Sequence, residues 1–228
     1  MKDEAALVLG PKVPLVVLAF FAGSLSILML LASLQPPPAT PAEQLLFAAS
    51  HRGRYALFAS LVMAWSVFSV PLSAILAKLL RAKGSTLASA AQLLVAVGVL
   101  LLGFGIFTHV GALLSIVAAG TPPSATDATY QVAIWHSLSF YLTDPGLMAF
   151  GLGQFLFGWL AWRSGVLPNW VAVVGMVGGV AGLLTLAVYQ TGVLALVQLI
   201  CFGIWGFATG FSLLRGRQAT SLVGSREA

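Results

Sequence analysis

Six long apolar segments follow one another along this chain of 228 residues, and they constrain its fold more than any other feature. Each is close to or longer than the ~20 residues with which a helix crosses ~30 Å of hydrocarbon. Only 7% of the residues are charged and the mean hydropathy is +1.00, so the charged groups are too few to cover a soluble domain. The sequence therefore predicts an all-α, polytopic transmembrane helix bundle that forms one domain, residues 1–228.

Segments rich in proline, glycine or charge separate the apolar segments and interrupt helix formation. The first span is followed by the run Pro36-Pro37-Pro38, and the fifth and sixth share the short turn Gln190-Thr191-Gly192. A short basic tail, residues 215–228, follows the last span. The predicted spans are 13–34, 55–80, 86–119, 128–162, 169–189 and 192–214.

The positions of the eleven Lys and Arg residues predict the direction in which the spans run. With the N-terminus in the cytoplasm, nine of the eleven lie on the inner side, and only Arg52 and Arg54 lie on the outer side. This asymmetry is typical of the positive-inside rule, so we expect both termini in the cytoplasm. The net charge of +5 comes from cations scattered over the loop ends, which is typical of contact with the surface of the lipid bilayer. We therefore expect the bilayer as partner and no binding of nucleic acid.

Predicted spans three and four are unusually long. Each has about 34 residues, or roughly 50 Å of helix, which exceeds the thickness of the hydrocarbon. Both helices would then rise beyond the outer surface as a hairpin. Alternatively, span four would break at Asp144-Pro145, because proline removes a backbone donor and disfavours helix in the residue before it. The second alternative leaves 130–142 as a separate helix at the outer interface, and the sequence allows both.

Polar residues recur on one face of predicted span four. At 100° per residue, His136, Ser139 and Thr143 share a stripe, which Gly151, Gln154 and Gly158 continue if a kink at Pro145 does not shift the phase. A small, polar stripe in an otherwise apolar helix is expected to face other helices rather than lipid. The stripe therefore predicts a polar contact with a neighbouring helix.

Antiparallel pairing of spans three and four adds residues to this face. Counting inward from the connecting loop sets Asp144 opposite residues 103–105, with His109 about one turn nearer the outer surface and His136 about one turn beyond that. We therefore predict an outer-half cavity between the two spans that binds a small-molecule or lipid ligand. Its predicted ligand-binding residues are Asp144, His109, His136, Ser139, Thr143 and Gln154.

Each ionisable residue of this set also has a structural explanation. An Asp at membrane depth costs roughly 2.5–3.5 kcal/mol, which makes Asp144 a functional candidate; as the residue before Pro145 it equally fits a helix cap. His109 and His136 equally fit hydrogen-bonded interface histidines. Their expected difference in depth disfavours haem, and their dispersal disfavours metal, so we predict no metal and no cofactor.

Glycines four residues apart recur in the last two spans, and small residues at this spacing let helix backbones approach closely. The three-residue turn between the spans favours packing of spans five and six as a pair. The same motif also fits a homodimer. The residues are Gly175 with Gly179, Gly178 with Gly182, and Gly206 with Gly210.

The segment Gly158–Gly175 contains the run Arg163-Ser164-Gly165, then Pro168 and Trp170. It resembles the R-S-G-hydrophobic-hydrophobic-P-x-W…G signature of bacterial multi-pass proteins of the domain-of-unknown-function 4386 type. The run describes a short cytoplasmic turn in which Gly165 ends one helix and Pro168 starts the next. The resemblance implies a bacterial inner-membrane protein with no established reaction.

Three functions are compatible with these features. The favoured one is non-enzymatic binding or passage of a small or lipidic ligand through the outer-half cavity. The second is a structural or assembly subunit whose glycine faces dock a partner in a membrane complex. The third is an intramembrane enzyme, or a metal or haem protein, that uses His109, His136 and Asp144. We favour a non-enzymatic role because the sequence has no recognisable nucleophile–base pair.

Overall fold

The computed structural model describes residues 40–81, 84–120, 122, 125–187, 194, 197–198, 200–209 and 211–212. All regular structure in these residues is helical, which confirms the all-α class for this part of the chain. Predicted span one, 13–34, and the basic tail, 215–228, lie outside the described residues. The helices are α1 (Pro41–Ser50), α2 (Arg52–Leu80), α3 (Ser85–Ala118), α4 (Thr126–Ser164), α5 (Asn169–Ala187) and α6 (Ile200–Thr209).

Helices α2 to α5 occupy the segments in which spans two to five are predicted, and their ends differ from the predicted ones by at most three residues. Two of them, α2 and α3, are long and apolar enough to cross a membrane. Helices α5 and α6 are shorter and also apolar. The described part of the chain thus contains at least two candidate membrane spans.

Helix α4 runs without a break from Thr126 to Ser164, which excludes the alternative of a separate helix before Pro145. Pro145 lies inside the helix and cannot donate to the carbonyl of Tyr141, one turn earlier. Tyr141 lies at the exposed surface of α4. With 34 and 39 residues, α3 and α4 form a hairpin whose arms are roughly 51 and 58 Å long.

Helix α1 was missed by the sequence analysis. The hydroxyl of Thr40 accepts a hydrogen bond from the N–H of Glu43 (3.3 Å), and the Glu43 carboxylate accepts one from the N–H of Thr40 (3.0 Å). Pro41 occupies the first turn of the helix, directly after the capping residue Thr40. The N–H that proline lacks would have no partner within the helix at this position, so the proline is well tolerated. The T-x-x-E pattern of a capping box is visible in the sequence, but a segment of ten residues between two spans is too short to show a clear helical periodicity.

Helix α1 covers the end of the hairpin at which α3 turns into α4. Leu45 and Ala48 of α1 are buried there. Arg52, at the start of α2, donates to the carbonyl of Val117 at 3.1 Å, which also accepts from the N–H of Gly120 at the end of α3. The apolar side chains of this second, smaller core are Leu45, Ala48, Leu113, Ile116, Val117, Ala128 and Val132.

The long helices approach one another through glycines. A Cβ at Gly98 of α3 would collide with the backbone N of Phe150 and lie 2.6 Å from the carbonyl O of Gly146, both in α4. A Cβ at Gly151 of α4 would lie 2.9 Å from the carbonyl O of Gly179 in α5. These distances are those of backbones in contact, so side chains do not separate the helices at these points.

The turn from α4 to α5 has the predicted form. Gly165 adopts a left-handed conformation with φ of 63°, which L side chains rarely adopt, and its N–H donates to the carbonyl of Ala161 at 3.1 Å. The carbonyl of Pro168 accepts from the N–H groups of Val171 and Ala172. The prediction that Gly165 ends one helix and Pro168 begins the next is confirmed.

The hairpin contact predicts opposite effects of one substitution at two glycines of α3. Gly98→Ala should lower the free energy of unfolding by about 1–3 kcal/mol, because the added methyl group has no space. Gly111→Ala should leave it unchanged or raise it by about 0.5–1 kcal/mol, because nothing lies within 4 Å of the new Cβ and alanine favours helix. Thermal unfolding of both variants in one detergent measures the difference; equal effects would contradict this account of the contact.

Candidate functional site

His109 and His136 lie against each other between α3 and α4. Their ring centroids are 5.1 Å apart with an interplanar angle of 57°, and His136 also packs edge-on against Phe140 at 4.7 Å. Both side chains are half-buried. Nδ1 of His109 is buried and has no hydrogen-bond partner among the described residues. Gly105 of α3 lies opposite Ser139 and Thr143 of α4, and one turn outward along both helices brings His109 level with His136, so the expected one-turn difference in their depth is wrong.

Ser139 and Thr143 lie where α3 and α4 are in close contact. A Cβ at Gly105 would lie 2.6 Å from Cγ2 of Thr143 and 3.0 Å from the carbonyl O of Ser139. Asp144 is half-buried in the next stretch of α4, and the contact of Gly146 with Leu102 places it level with residues 102–104. Ser139 and Thr143, in the outer part of the predicted stripe, thus lie in a packed contact with α3, whereas Gly151 and Gln154 face α5.

Gln154 lies apart from these residues. It is 18 residues after His136 in one continuous helix, a separation of roughly 27 Å. The structure therefore brings His109 and His136 together and places Gln154 in a different part of the bundle, so the six predicted residues do not line one cavity.

A small cavity lies beside Gln154, with walls from α2, α3, α4 and α6. Its volume is about 10 Å³, on the order of the space that one water molecule needs. None of the nine side chains around it is charged. They are Ser69, Leu72, Ser73, Leu76, Val95, Gln154, Phe157, Phe202 and Trp205.

The polar atoms around the cavity include unsatisfied donors and an unsatisfied acceptor. Gln154 is fully buried, with 0% of its surface exposed. Its Nε2 and Oε1 have no hydrogen-bond partner within the described part of the chain, and neither has Nε1 of Trp205. The hydroxyls of Ser69 and Ser73 donate to backbone carbonyls of α2 at 2.8 and 2.7 Å. Their oxygens therefore remain available as acceptors.

The predicted glycine motifs provide the space for these side chains. A Cβ at Gly178 would lie 2.5 Å from Nε2 of Gln154 and 2.7 Å from Cβ of Cys201. A Cβ at Gly182 would lie 2.5 Å from Cδ of Gln198. Gln198 is also fully buried, and its Nε2 donates to the carbonyl of Leu147 at 3.2 Å.

The remaining motif glycines divide between two neighbours of α5. Gly175 faces the indole of Trp205: a Cβ at Gly175 would lie 2.8 Å from Nε1 of that ring. Gly179 faces Gly151 and Phe155 of α4. Gly206 is buried in α6, and Gly210 lies outside the described residues. Helix α5 therefore packs closely on α4 as well as on Gln198, Cys201 and Trp205.

Sequence reasoning missed Ser69, Ser73, Gln198 and Trp205. The serines carry a readable pattern, because Ser66, Ser69 and Ser73 are spaced i, i+3 and i+7 on the buried face of α2. This is the kind of polar stripe that identified the face of α4. Gln198 is an amide within an apolar run, which is a weaker pattern of the same kind.

The two buried glutamines predict a matched comparison. Gln154→Leu removes two unpaired polar atoms, so the ligand-free protein should keep or gain thermal stability. Gln198→Leu removes the hydrogen bond to Leu147 together with only one unpaired atom, Oε1, so it should be less stable than Gln154→Leu by about 0.6–1.5 kcal/mol. Thermal unfolding in detergent compares them. A larger loss for Gln154→Leu would show that its amide has partners that the geometry does not reveal.

Comparison with known proteins agrees with the extent of this fold. The family model described as a domain of unknown function (DUF4386) matches residues 14–216, which is nearly the whole chain. No curated protein and no solved structure matches the chain. The resemblance of the segment around Arg163-Ser164-Gly165 is thereby confirmed, and the chain belongs to the DUF4386 family.

Proposed function

We propose that this chain is a multi-pass protein of the bacterial inner membrane, with six spans and both termini in the cytoplasm, which binds a small uncharged polar molecule inside its helix bundle. Two apolar helices of sufficient length support the membrane location. The nine-to-two distribution of cations supports the orientation. The role is one of binding or passage, with no chemical step.

The observation that carries the proposal is the buried amide of Gln154 beside a cavity, which has no hydrogen-bond partner among the described residues. A buried polar group without a hydrogen bond costs about 1–3 kcal/mol, so its presence needs an explanation. In the proposed topology Ser164 lies at the inner surface. Gln154 is ten residues, or roughly 15 Å, deeper, which is near the middle of ~30 Å of hydrocarbon. Ligand sites of membrane transporters also lie near this midplane.

The chemistry of the cavity wall limits the class of ligand. None of the described side chains that line it is charged, so a buried ion would find no countercharge among them and would be strongly disfavoured. Gln154 and Trp205 offer N–H donors, and the oxygens of Gln154, Ser69 and Ser73 accept. A hydroxyl, carbonyl or amide compound satisfies both kinds of group. Because the volume is about 10 Å³, any ligand larger than water requires the helices to move apart.

This site differs from the one that the sequence predicts. The predicted ligand cavity lies in the outer half of the membrane, whereas the proposed site lies deeper and shares only Gln154 with it. Binding is favoured over catalysis because the lining has no acid or base to activate Ser69 or Ser73. A lipidic ligand is not favoured, since an acyl chain makes no use of the polar groups of the lining and would force the helices much farther apart than a small polar molecule does.

Native mass spectrometry of protein purified in a mild detergent tests the proposed ligand site. The wild type and Gln198→Leu should carry the same small adduct, and Gln154→Leu should lose it, because only Gln154 lines the cavity. Retention of the adduct by Gln154→Leu would place the ligand elsewhere. Bare protein in all three samples would count against the binding role, and a stoichiometric protein partner would favour the assembly role.

The proposed orientation predicts which engineered thiols react from outside the cell. In a Cys201→Ala background, Gly53→Cys should react with a membrane-impermeant maleimide in intact cells, since Gly53 is exposed in open space. Arg81→Cys, at the exposed end of α2, should react only after the membranes are disrupted. The reverse pattern would invert the topology, and reaction of both thiols in intact cells would contradict a span between them.

A further inference from the structure

We infer that His109 and His136 together bind one divalent transition-metal ion, with zinc as the representative case, and so link α3 to α4. Their ring centroids are 5.1 Å apart. Two imidazoles on one tetrahedral ion, each with a metal–nitrogen distance of about 2.0–2.1 Å, place their ring centroids roughly 5 Å apart. The spacing of the two rings therefore matches that of a shared ion. Haem does not fit, because its plane has no room between rings that are in contact.

One nitrogen of the pair is available for this role. Nδ1 of His109 is buried and has no hydrogen-bond partner among the described residues, although buried imidazole nitrogens normally have one. Phe140 packs edge-on against His136 at 4.7 Å and restricts the rotation of that ring. Neutral imidazole is a ligand that zinc, copper and nickel favour over calcium or magnesium.

The depth of the pair gives an ion access from water, a step that rests on the topology proposed above. His109 is 24 residues, or roughly 36 Å, from the start of α3 at Ser85, and His136 is roughly 42 Å from the end of α4 at Ser164. Both distances exceed the ~30 Å of hydrocarbon. The rings therefore lie at the outer interface, where an ion arrives without crossing the bilayer.

The two imidazoles supply only part of a coordination shell. No group of three or more His, Cys, Asp or Glu side chains comes together within the described ranges, so water completes the shell. An ion held in this way exchanges with solution and stabilises the state in which the two helices are in contact, because it binds that state alone. The chemical consequence is a metal-dependent clamp at the outer end of the hairpin.

Zinc titration of the purified full-length chain, carrying an affinity tag without histidine, tests this inference. With ZnCl₂ as the only addition, isothermal calorimetry should give one ion per chain for the wild type. His109→Ala and His136→Ala should each weaken zinc binding by about tenfold or more, since each removes one of two ligands. His51→Ala is the matched control: His51 stacks on Phe47 with ring centroids 4.4 Å apart, away from the pair.

Thermal unfolding with and without zinc separates loss of the site from loss of the fold. Zinc should raise the melting temperature of the wild type and His51→Ala, and should leave that of His109→Ala and His136→Ala unchanged. Gln154→Leu should keep the zinc response, so failure of the central ligand site is distinguishable from failure of the metal site. Absence of zinc binding by the wild type would overturn the inference, as would unchanged zinc affinity in the two pair variants.

Discussion

Direct contact between helix backbones is the constraint on which this structure depends. Lipid chains are as apolar as the side chains of the bundle, so helices in a membrane gain little from the hydrophobic effect and associate through close packing. Gly98 against Gly146, and Gly151 against Gly179, provide that packing. These contacts also fix how far one helix is shifted along the next, and every other pairing in the bundle follows from that shift.

The two candidate sites are consequences of this shift. The contact at Gly98 brings His109 and His136 to one level, although each lies on a different helix. On the other side of α4, Gly178 leaves a space that the amide of Gln154 occupies. A residue with a side chain at either glycine would change the distance between helices, and the polar groups would no longer lie where they do.

The long elements of the fold were predictable because each carries its own pattern. Apolar length defined α2 to α5 within three residues, and Gly165 and Pro168 marked the turn between α4 and α5. The unbroken course of α4 was not decidable, since Pro145 opposes helix locally and tertiary packing outweighs that preference. Helix α1 has the capping box of Thr40 and Glu43 but little apolar length, so its existence depends on the core that it covers.

The sites were harder to predict, because they depend on how the helices lie relative to one another, and the sequence of a single helix does not contain that information. The stripe on α4 identified Gln154 because periodicity shows which face is polar. The level of His136 relative to His109 was wrong, because counting from the loop assumes a turn geometry, whereas the glycine contact sets the true level. The cavity requires Ser69, Gln154 and Trp205 to meet from three helices, and nothing in their local sequence shows that they do.

The glycine contacts have a consequence for how such a chain changes over evolutionary time. In the proposed membrane location, exposed apolar positions such as Leu93, Phe104 and Val177 should tolerate exchange for one another, since lipid accommodates any of these shapes. A glycine in backbone contact cannot be replaced in this way, because every other residue adds a side chain for which there is no space. We therefore expect distant members of one lineage to differ over most of their length and still to share small residues at fixed intervals, with glycine spacing outlasting overall sequence identity.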